Sequence, residues 1–289
     1  MGATPAHGFY EIDWNEIWKT RQQHHESSKH FDDPSHNWDK RENAERYDSS
    51  SRSEYDARVK TTLAGLPLNR SLRVLDIGAG PGTLAIPLAP LVREVTAVEP
   101  GEGMVKILKK HMQEKGIHNI SCIRKRWEDI DPDKDLDGQY DVVIASLSLT
   151  MNDIRAALET MDAVSSRYVY LFWFVDSPFW ERMYLDLWEP LHGSTYYPGP
   201  KADCVFNVLY QMGIYANVEM LPLQKEYRFT TLDEMLGFFK GRFNIKTPEQ
   251  EQVLADYLTP LIRQEGNAVV ISGDSTFAQI WWKKKEPEN

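Results

Sequence analysis

The chain has 289 residues, 42% hydrophobic and 26% charged, with a net charge of −10. That is length and apolar content enough for one large or two small domains around a buried core, while an acidic molecule lacks the basic face that a nucleic-acid partner demands. No apolar run approaches a membrane span, no secretory apolar region opens the chain, and only two cysteines occur, Cys122 and Cys204, so no disulfide framework is expected and a reducing cytoplasm is.

Residues 1–37 are polar, with Trp14 and Trp18 on one possible helical turn and five histidines at positions 7, 24, 25, 30 and 36. Clustered histidine can ligate zinc or nickel, but no Cys/His spacing template is met. The plainer reading is a mobile polar arm, able to fold over the body, whose histidines happen to be close and hold no metal. Residues 53–66 then read as a helix and 67–70 as a turn.

The stretch around which the rest is arranged is Leu72-Arg-Val-Leu-Asp-Ile-Gly-Ala-Gly-Pro-Gly-Thr83. It reads as an apolar strand, a glycine-dense turn and the start of a helix at Leu84, a geometry that lets a nucleotide-like ligand lie against bare backbone. Asp76 stands two residues before Gly78, at the strand's carboxyl mouth. A carboxylate there repels a pyrophosphate and suits an ammonium group. The next strand, 95–98, ends in Glu99, placed to accept hydrogen bonds from two ribose hydroxyls. Together the two acids describe an adenosine with an amino-acid tail. A helix from Pro100 to about Lys115 ends at Gly116, a third strand covers 120–123, a β-branched fourth strand covers 142–146, a helix follows near 153–164, and a fifth strand covers 167–174.

Three motifs in this order resemble the class I S-adenosylmethionine-dependent methyltransferases: Val74-Leu-Asp-Ile-Gly-Ala-Gly-Pro-Gly-Thr83, then Val98-Glu-Pro100 with Met104, then Tyr140-Asp-Val-Val-Ile-Ala-Ser-Leu147. The resemblance covers about residues 38–175 and thins beyond. It implies an α/β fold with a Rossmann-like, seven-stranded, mostly parallel sheet and helices on both faces, preceded by the arm at 1–37. It implies an enzyme that moves a methyl group from S-adenosylmethionine to a small-molecule acceptor, leaving S-adenosylhomocysteine. The donor contacts it implies are Asp76, Gly78, Ala79, Gly80, Gly82 and Thr83 at the turn, Glu99 and Pro100 at the ribose, and Met104 at the adenine. Backbone at Ala145, Ser146 and Leu147 is expected to hold the methionine portion. The segment 37–47 looks like the helix that precedes the core in such enzymes, with Trp38 and Tyr47 as candidates to close over the donor or simply to pack the helix on the sheet. One departure stands out. Relatives place an aspartate early in the loop after the third strand to accept from the adenine amine, whereas Arg126 or Trp127 falls there, with Glu128 one or two residues late. Arginine cannot accept a hydrogen bond. Either Glu128 substitutes, or backbone reads the amine while Trp127 stacks on the ring.

Beyond residue 175 two insertions, about 177–201 and 231–265, are expected to form a helical lid, with capping boxes opening helices at Thr231 and Thr247. Between them lie a helix at 205–212 and strands at 216–221 and 226–229, and the chain closes with 268–272 and 277–282 as an antiparallel pair. His192, Tyr196, Tyr197 and Asp176 are candidates for a general base, needed only if the acceptor loses a proton early. Trp173 and Trp180 either line an acceptor pocket or pack the core. Two other readings compete: a nicotinamide-dependent oxidoreductase, which the glycines and a following acid also fit, and a non-catalytic module that binds the donor.

Overall fold

The computed structural model describes residues 12–28 and 38–284. Five parallel strands, β1 (Arg73–Ile77), β2 (Glu94–Val98), β3 (Ile120–Ile123), β4 (Tyr140–Ser146) and β5 (Ser165–Phe174), lie in the order β3-β2-β1-β4-β5. Next to β5 runs β8 (Ala268–Lys283), antiparallel, and beyond it β6 (Asn217–Phe229), antiparallel to β8. A short β7 (Arg263–Glu265) pairs with the start of β8. Among the described residues the sheet has eight strands, one more than expected, because the second insertion adds β7 as one arm of a small hairpin.

The parallel strands are buried on both faces, so their side chains divide by alternation between two cores. Leu75, Ile77, Val143, Ala145, Val169, Leu171 and Trp173 face one, and Val74, Val95, Ala97, Val142, Ile144, Tyr170 and Phe172 face the other. The first core is roofed by α1 (Trp14–Ser28), α6 (Ile154–Val164) and α8 (Ala202–Gln211). The second is roofed by α2 (Arg41–Ala64), the short α3 (Ala85–Leu88) and α4 (Glu102–Lys115). A further short helix, α5 (Pro132–Asp135), leads into β4.

The polar arm is more than a tether. Trp18 is fully buried in the first core and its indole Nε1 donates to Met151 O at 2.7 Å, so α1 sits on the loop after β4. Of the five arm histidines, His24 and His25 are described, and those at 7, 30 and 36 lie outside the described residues. Among the described residues no group of three or more metal-ligating side chains gathers.

The two insertions fold against each other. Helices α7 (Phe179–His192), α9 (Leu232–Arg242) and α10 (Pro248–Leu258) bury a third, aromatic-rich cluster with Tyr227 and Phe229 of β6 and Val269 and Ile271 of β8. The Thr247 box forms as expected, its side chain accepting from Gln250 N while Gln250 reaches back to the Thr247 backbone.

The closing strands differ from expectation. Residues 268–272 and 277–282 do not pair with each other: they are one strand, β8, laddered along β6 from Phe229↔Val269 to Asn217↔Trp281. Gly273, which looks like a turn, is glycine for packing. A Cβ built there would stand 2.1 Å from the Phe179 ring. Likewise the two segments of β6 are one strand through Pro222, which its edge position tolerates. Among the described residues no helix is long and apolar enough to cross a membrane.

Candidate active site

The carboxyl ends of β1, β2 and β4 form one mouth, where ligands of open α/β sheets lie. The turn after β1 is fixed by its own backbone. Gly78 N and Ala79 N both donate to Val98 O (2.8 and 3.2 Å), Gly82 N donates to Ala79 O (3.0 Å), and Gly80 N donates to Glu99 Oε2 (2.9 Å). The glycines have different tasks. A Cβ at Gly78 would meet Ser148 Cβ at 2.3 Å and one at Gly82 would meet Leu108 Cδ1 at 2.5 Å, so these are packing positions. At Gly80, with φ +56°, a Cβ would meet nothing within 4 Å. Only there does the turn present bare backbone to open space.

Asp76 is 2% exposed, and among the described residues its Oδ2 has no hydrogen-bond partner. Burial, and next the charge of Glu99, push its carboxyl up to about 7, against the opposing pull of the Ala85 N–H and the Arg58 guanidinium. Glu99 is 6% exposed; its Oε1 accepts from Gly101 N at 2.8 Å and its Oε2 from Gly80 N. Burial raises its carboxyl too, and the two backbone N–H groups pull the other way. With about four lone-pair positions per carboxylate, Glu99 keeps acceptor capacity for two hydroxyls.

Arg58, on α2, was not singled out by the sequence. Its Nη1 donates to Ser146 Oγ at 2.9 Å, and its charge reaches Asp76, so a guanidinium bridges the ends of β4 and β1. Nothing local in a long polar helix marks it; only the fold brings it to the mouth. Ser148 was missed as well: its Oγ donates to Ile77 O at 2.6 Å, bolting the β4 loop to the end of β1. Between these residues, Leu147 has φ +55°, a left-handed conformation that a bulky side chain adopts only under constraint, and its N donates to Phe172 O at 2.9 Å.

Ala145 is fully buried, whereas Ser146, Leu147 and Thr83 are half-buried at the mouth. Trp38 lies beside Glu99: a Cβ at Gly101 would touch both Trp38 Cβ (2.7 Å) and Glu99 Oε1 (2.9 Å). Tyr47 packs edge-on against Trp38 at 5.3 Å, and Met104, 3% exposed, clusters with Trp38, Ala44 and Ile107. Pro100 leads half-buried into α4. Trp127 is 4% exposed in the first core, with Nε1 donating to Ala157 O at 3.1 Å, and Glu128 beside it is exposed.

The candidate bases separate. The His192 ring packs on Trp188 at 4.3 Å with Nε2 against Phe243 O at 3.0 Å, inside the third cluster. Tyr196 is 4% exposed and stacked on Tyr184 at 5.2 Å; among the described residues its hydroxyl has no partner, and its phenol is pushed up by burial and then by the Glu181 charge. Tyr197 is 45% exposed and lines a cavity, and Asp176 is exposed. Trp173 donates to Pro200 O at 2.9 Å from the first core; Trp180 lies between Phe174 and Tyr184.

Residues 74–167 match a family model described as a methyltransferase domain. An uncharacterized protein of Haemophilus influenzae is 27% identical over 276 residues, covering 94% of this chain and 97% of that protein. A ribosomal RNA small subunit methyltransferase G of Streptococcus pyogenes is 36% identical over 93 residues, which is 32% of this chain and 39% of that enzyme. Among solved structures, the YcgJ protein of Bacillus subtilis superposes with a TM-score of 0.52 at 17% identity, over 81% of this chain and 99% of that one, a likeness of fold. The matched methyltransferase domain spans the glycine turn, Asp76, Glu99 and the β4 mouth, and in this stretch the chain is similar to the class I S-adenosylmethionine-dependent methyltransferases.

Proposed function

We propose that this enzyme transfers the methyl group of S-adenosylmethionine to a small-molecule acceptor, with Asp76, Arg58 and Glu99 as the chief donor contacts. The observation that carries the reading is the buried Oδ2 of Asp76, without a partner among the described residues, beside a turn whose N–H groups are already committed. A pyrophosphate would need those N–H groups and would face two carboxylates, which weighs against a dinucleotide. An ammonium supplies the hydrogen bond that Oδ2 lacks, the Arg58 guanidinium suits a carboxylate, and the spare lone pairs of Glu99 suit ribose hydroxyls.

The bound donor supplies an electrophilic methyl group on a sulfonium. The protein's part is to hold it and exclude water. Asp76 and Arg58 fix the two ends of the amino-acid tail, Glu99 fixes the sugar, Trp38 closes the ribose end, and the lid cluster and α1 enclose the acceptor side, which favours an in-line approach. A net charge of −10 supports a small acceptor over RNA, and two unpaired cysteines suit a reducing cytoplasm.

The test is calorimetric. The full chain is titrated with S-adenosylmethionine, S-adenosylhomocysteine and NAD, and turnover to S-adenosylhomocysteine is followed with thiols, amines, phenols and acids as acceptors. Binding of the two adenosyl compounds and not of NAD is expected. Binding of NAD, or of none of the three, overturns the proposal.

A further inference from the structure

We propose that the acceptor is a small molecule carrying an oxyanion, a carboxylate or a phosphate, held between α1 and the tyrosine-rich loop by Arg21, His24 and Lys201. The word acceptor rests on the methyl-transfer reading above; the anion site does not.

A cavity of about 240 Å³ opens between Arg21 and His24 of α1, Ser177 just past β5, and Tyr197, Gly199 and Lys201 of the loop leading into α8. It lies at the carboxyl end of the sheet, because α1 is seated on the loop after β4 through Trp18 and Ser177 follows the end of β5. Its volume falls below the roughly 300–1,000 Å³ of pockets for drug-sized ligands and suits a smaller molecule.

The charged side chains that line the cavity are basic. In a chain of net charge −10, three basic side chains and, among the described residues, no carboxylate line this cavity. The counter-charges stand behind the wall: Arg21 Nη1 pairs with Asp203 Oδ2 at 2.8 Å, and Lys201 Nζ with Glu181 Oε2 at 2.7 Å, neither acid being part of the lining. Those pairs fix the cations in position. Glu181 is itself braced by Gly199 N at 3.1 Å, so the loop, the lysine and the acid form one unit.

Donors remain at the cavity: Lys201 Nζ donates to Gly199 O at 2.6 Å and pairs with Glu181, which leaves one of its three N–H bonds. Arg21 uses only Nη1 toward described residues, to Asp203 and to Cys204 Sγ, which leaves Nε and Nη2 for a planar oxyanion. Among the described residues the His24 ring nitrogens and the hydroxyls of Tyr197 and Ser177 make no hydrogen bond, and the His24 ring lies tilted on Tyr197 at 5.2 Å. A guanidinium edge, an ammonium and a ring pair at one small cavity recognise an anion attached to an aromatic or otherwise flat body.

The experiment titrates the full chain, with and without saturating S-adenosylhomocysteine, with benzoate, phenyl phosphate and neutral benzamide, in the natural protein and in Arg21→Gln and His24→Asn. At least one anion binds at least about tenfold more tightly than benzamide, and each substitution weakens it by about three- to tenfold while the affinity for S-adenosylhomocysteine is unchanged. The benzoate and phenyl phosphate arms tell carboxylate from phosphate. Equal binding of benzamide, no binding of either anion up to about 10 mM, or variants with undiminished anion affinity would each overturn the proposal. His24 is exposed, so its variant folds even if Arg21→Gln, which strands Asp203, does not. Failure to bind the adenosyl compounds defeats the methyl-transfer reading alone, since the titrations without them still decide this one.

Discussion

Asp76 shows how one residue sets a condition on the whole site. Its carboxyl, pushed up from an ordinary 3.8 to about 7 mainly by burial, is half protonated near neutrality in the donor-free protein, and only the ionised form attracts an ammonium. Donor affinity is therefore expected to rise from pH 6 to pH 8, with proton release on binding that calorimetry in buffers of different ionisation heat detects. Asp76→Asn removes this pH dependence and lowers affinity by about 1.5–3 kcal/mol, the worth of a charge-assisted hydrogen bond. The linkage to stability has the opposite sign. The folded state holds the proton more tightly than the unfolded chain, so this group makes the donor-free protein less stable as pH rises from about 4 to about 7, and urea midpoints of the Asn variant lack that part of the decline. Arg58 opposes the shift. Arg58→Met is expected to weaken donor binding and to move the midpoint of its pH dependence upward, because a cation that favours the ionised acid is gone. A midpoint that moves down, or stays, contradicts the placement. Asp76 was legible in the sequence because its meaning depends on its neighbours in the turn. Arg58 was not, since its meaning depends on a contact with Ser146, 88 positions away.

At the scale of elements, legibility followed the distance over which each signal acts. The β1 turn, the glycine after α4 and the Thr247 box are local, and the sequence showed them. The long β6–β8 ladder is not local: Pro222 and Gly273 carry turn chemistry, yet pairing along the whole of β8 and the Phe179 ring override it. Gly273→Ala therefore tests packing rather than turn formation. A Cβ 2.1 Å from a ring buried in the third cluster forces Phe179 aside, and we expect a loss of about 1–3 kcal/mol in urea denaturation. A true turn glycine would instead tolerate alanine in proportion to backbone strain, with the ring undisturbed. The arm shows the same rule from the other side. Its polarity suggested a loose segment, but in the described part α1 is held by the buried Trp18 indole, by Asn15 and Lys19 on Asp153 and by Arg21 on Asp203. Trp18→Ala removes a fully buried ring and its bond to Met151 O, at an expected cost of about 3–5 kcal/mol, and limited proteolysis should then cut within α1 before the sheet is affected.

For the molecule as a whole, the donor mouth is assembled from parts of unequal solidity. Its floor, the ends of β1 and β4, belongs to the middle of the sheet, with Val74, Leu75, Val142 and Val143 wholly buried on its two faces. Its cover is α2, a 24-residue helix of mostly polar sequence that lies against α4 and β6 and reaches the mouth through Arg58. A helix with so narrow an apolar stripe takes little stability from packing, so its opening free energy lies at the low end of the molecule's range. If Arg58 holds the donor's tail as proposed, binding adds about 2.7 kcal/mol to the closed arrangement at a hundredfold excess over Kd, provided the open form does not bind. Hydrogen exchange is therefore expected to slow in Arg41–Ala64 when S-adenosylhomocysteine is added, while the amides of β1 and β4 change only with global stability. The effect should disappear in Arg58→Met even at concentrations that saturate that variant, because α2 then gains nothing from the bound tail. Equal slowing across sheet and helix would mean that the mouth opens only by global unfolding, and α2 would then be a fixed wall of the site.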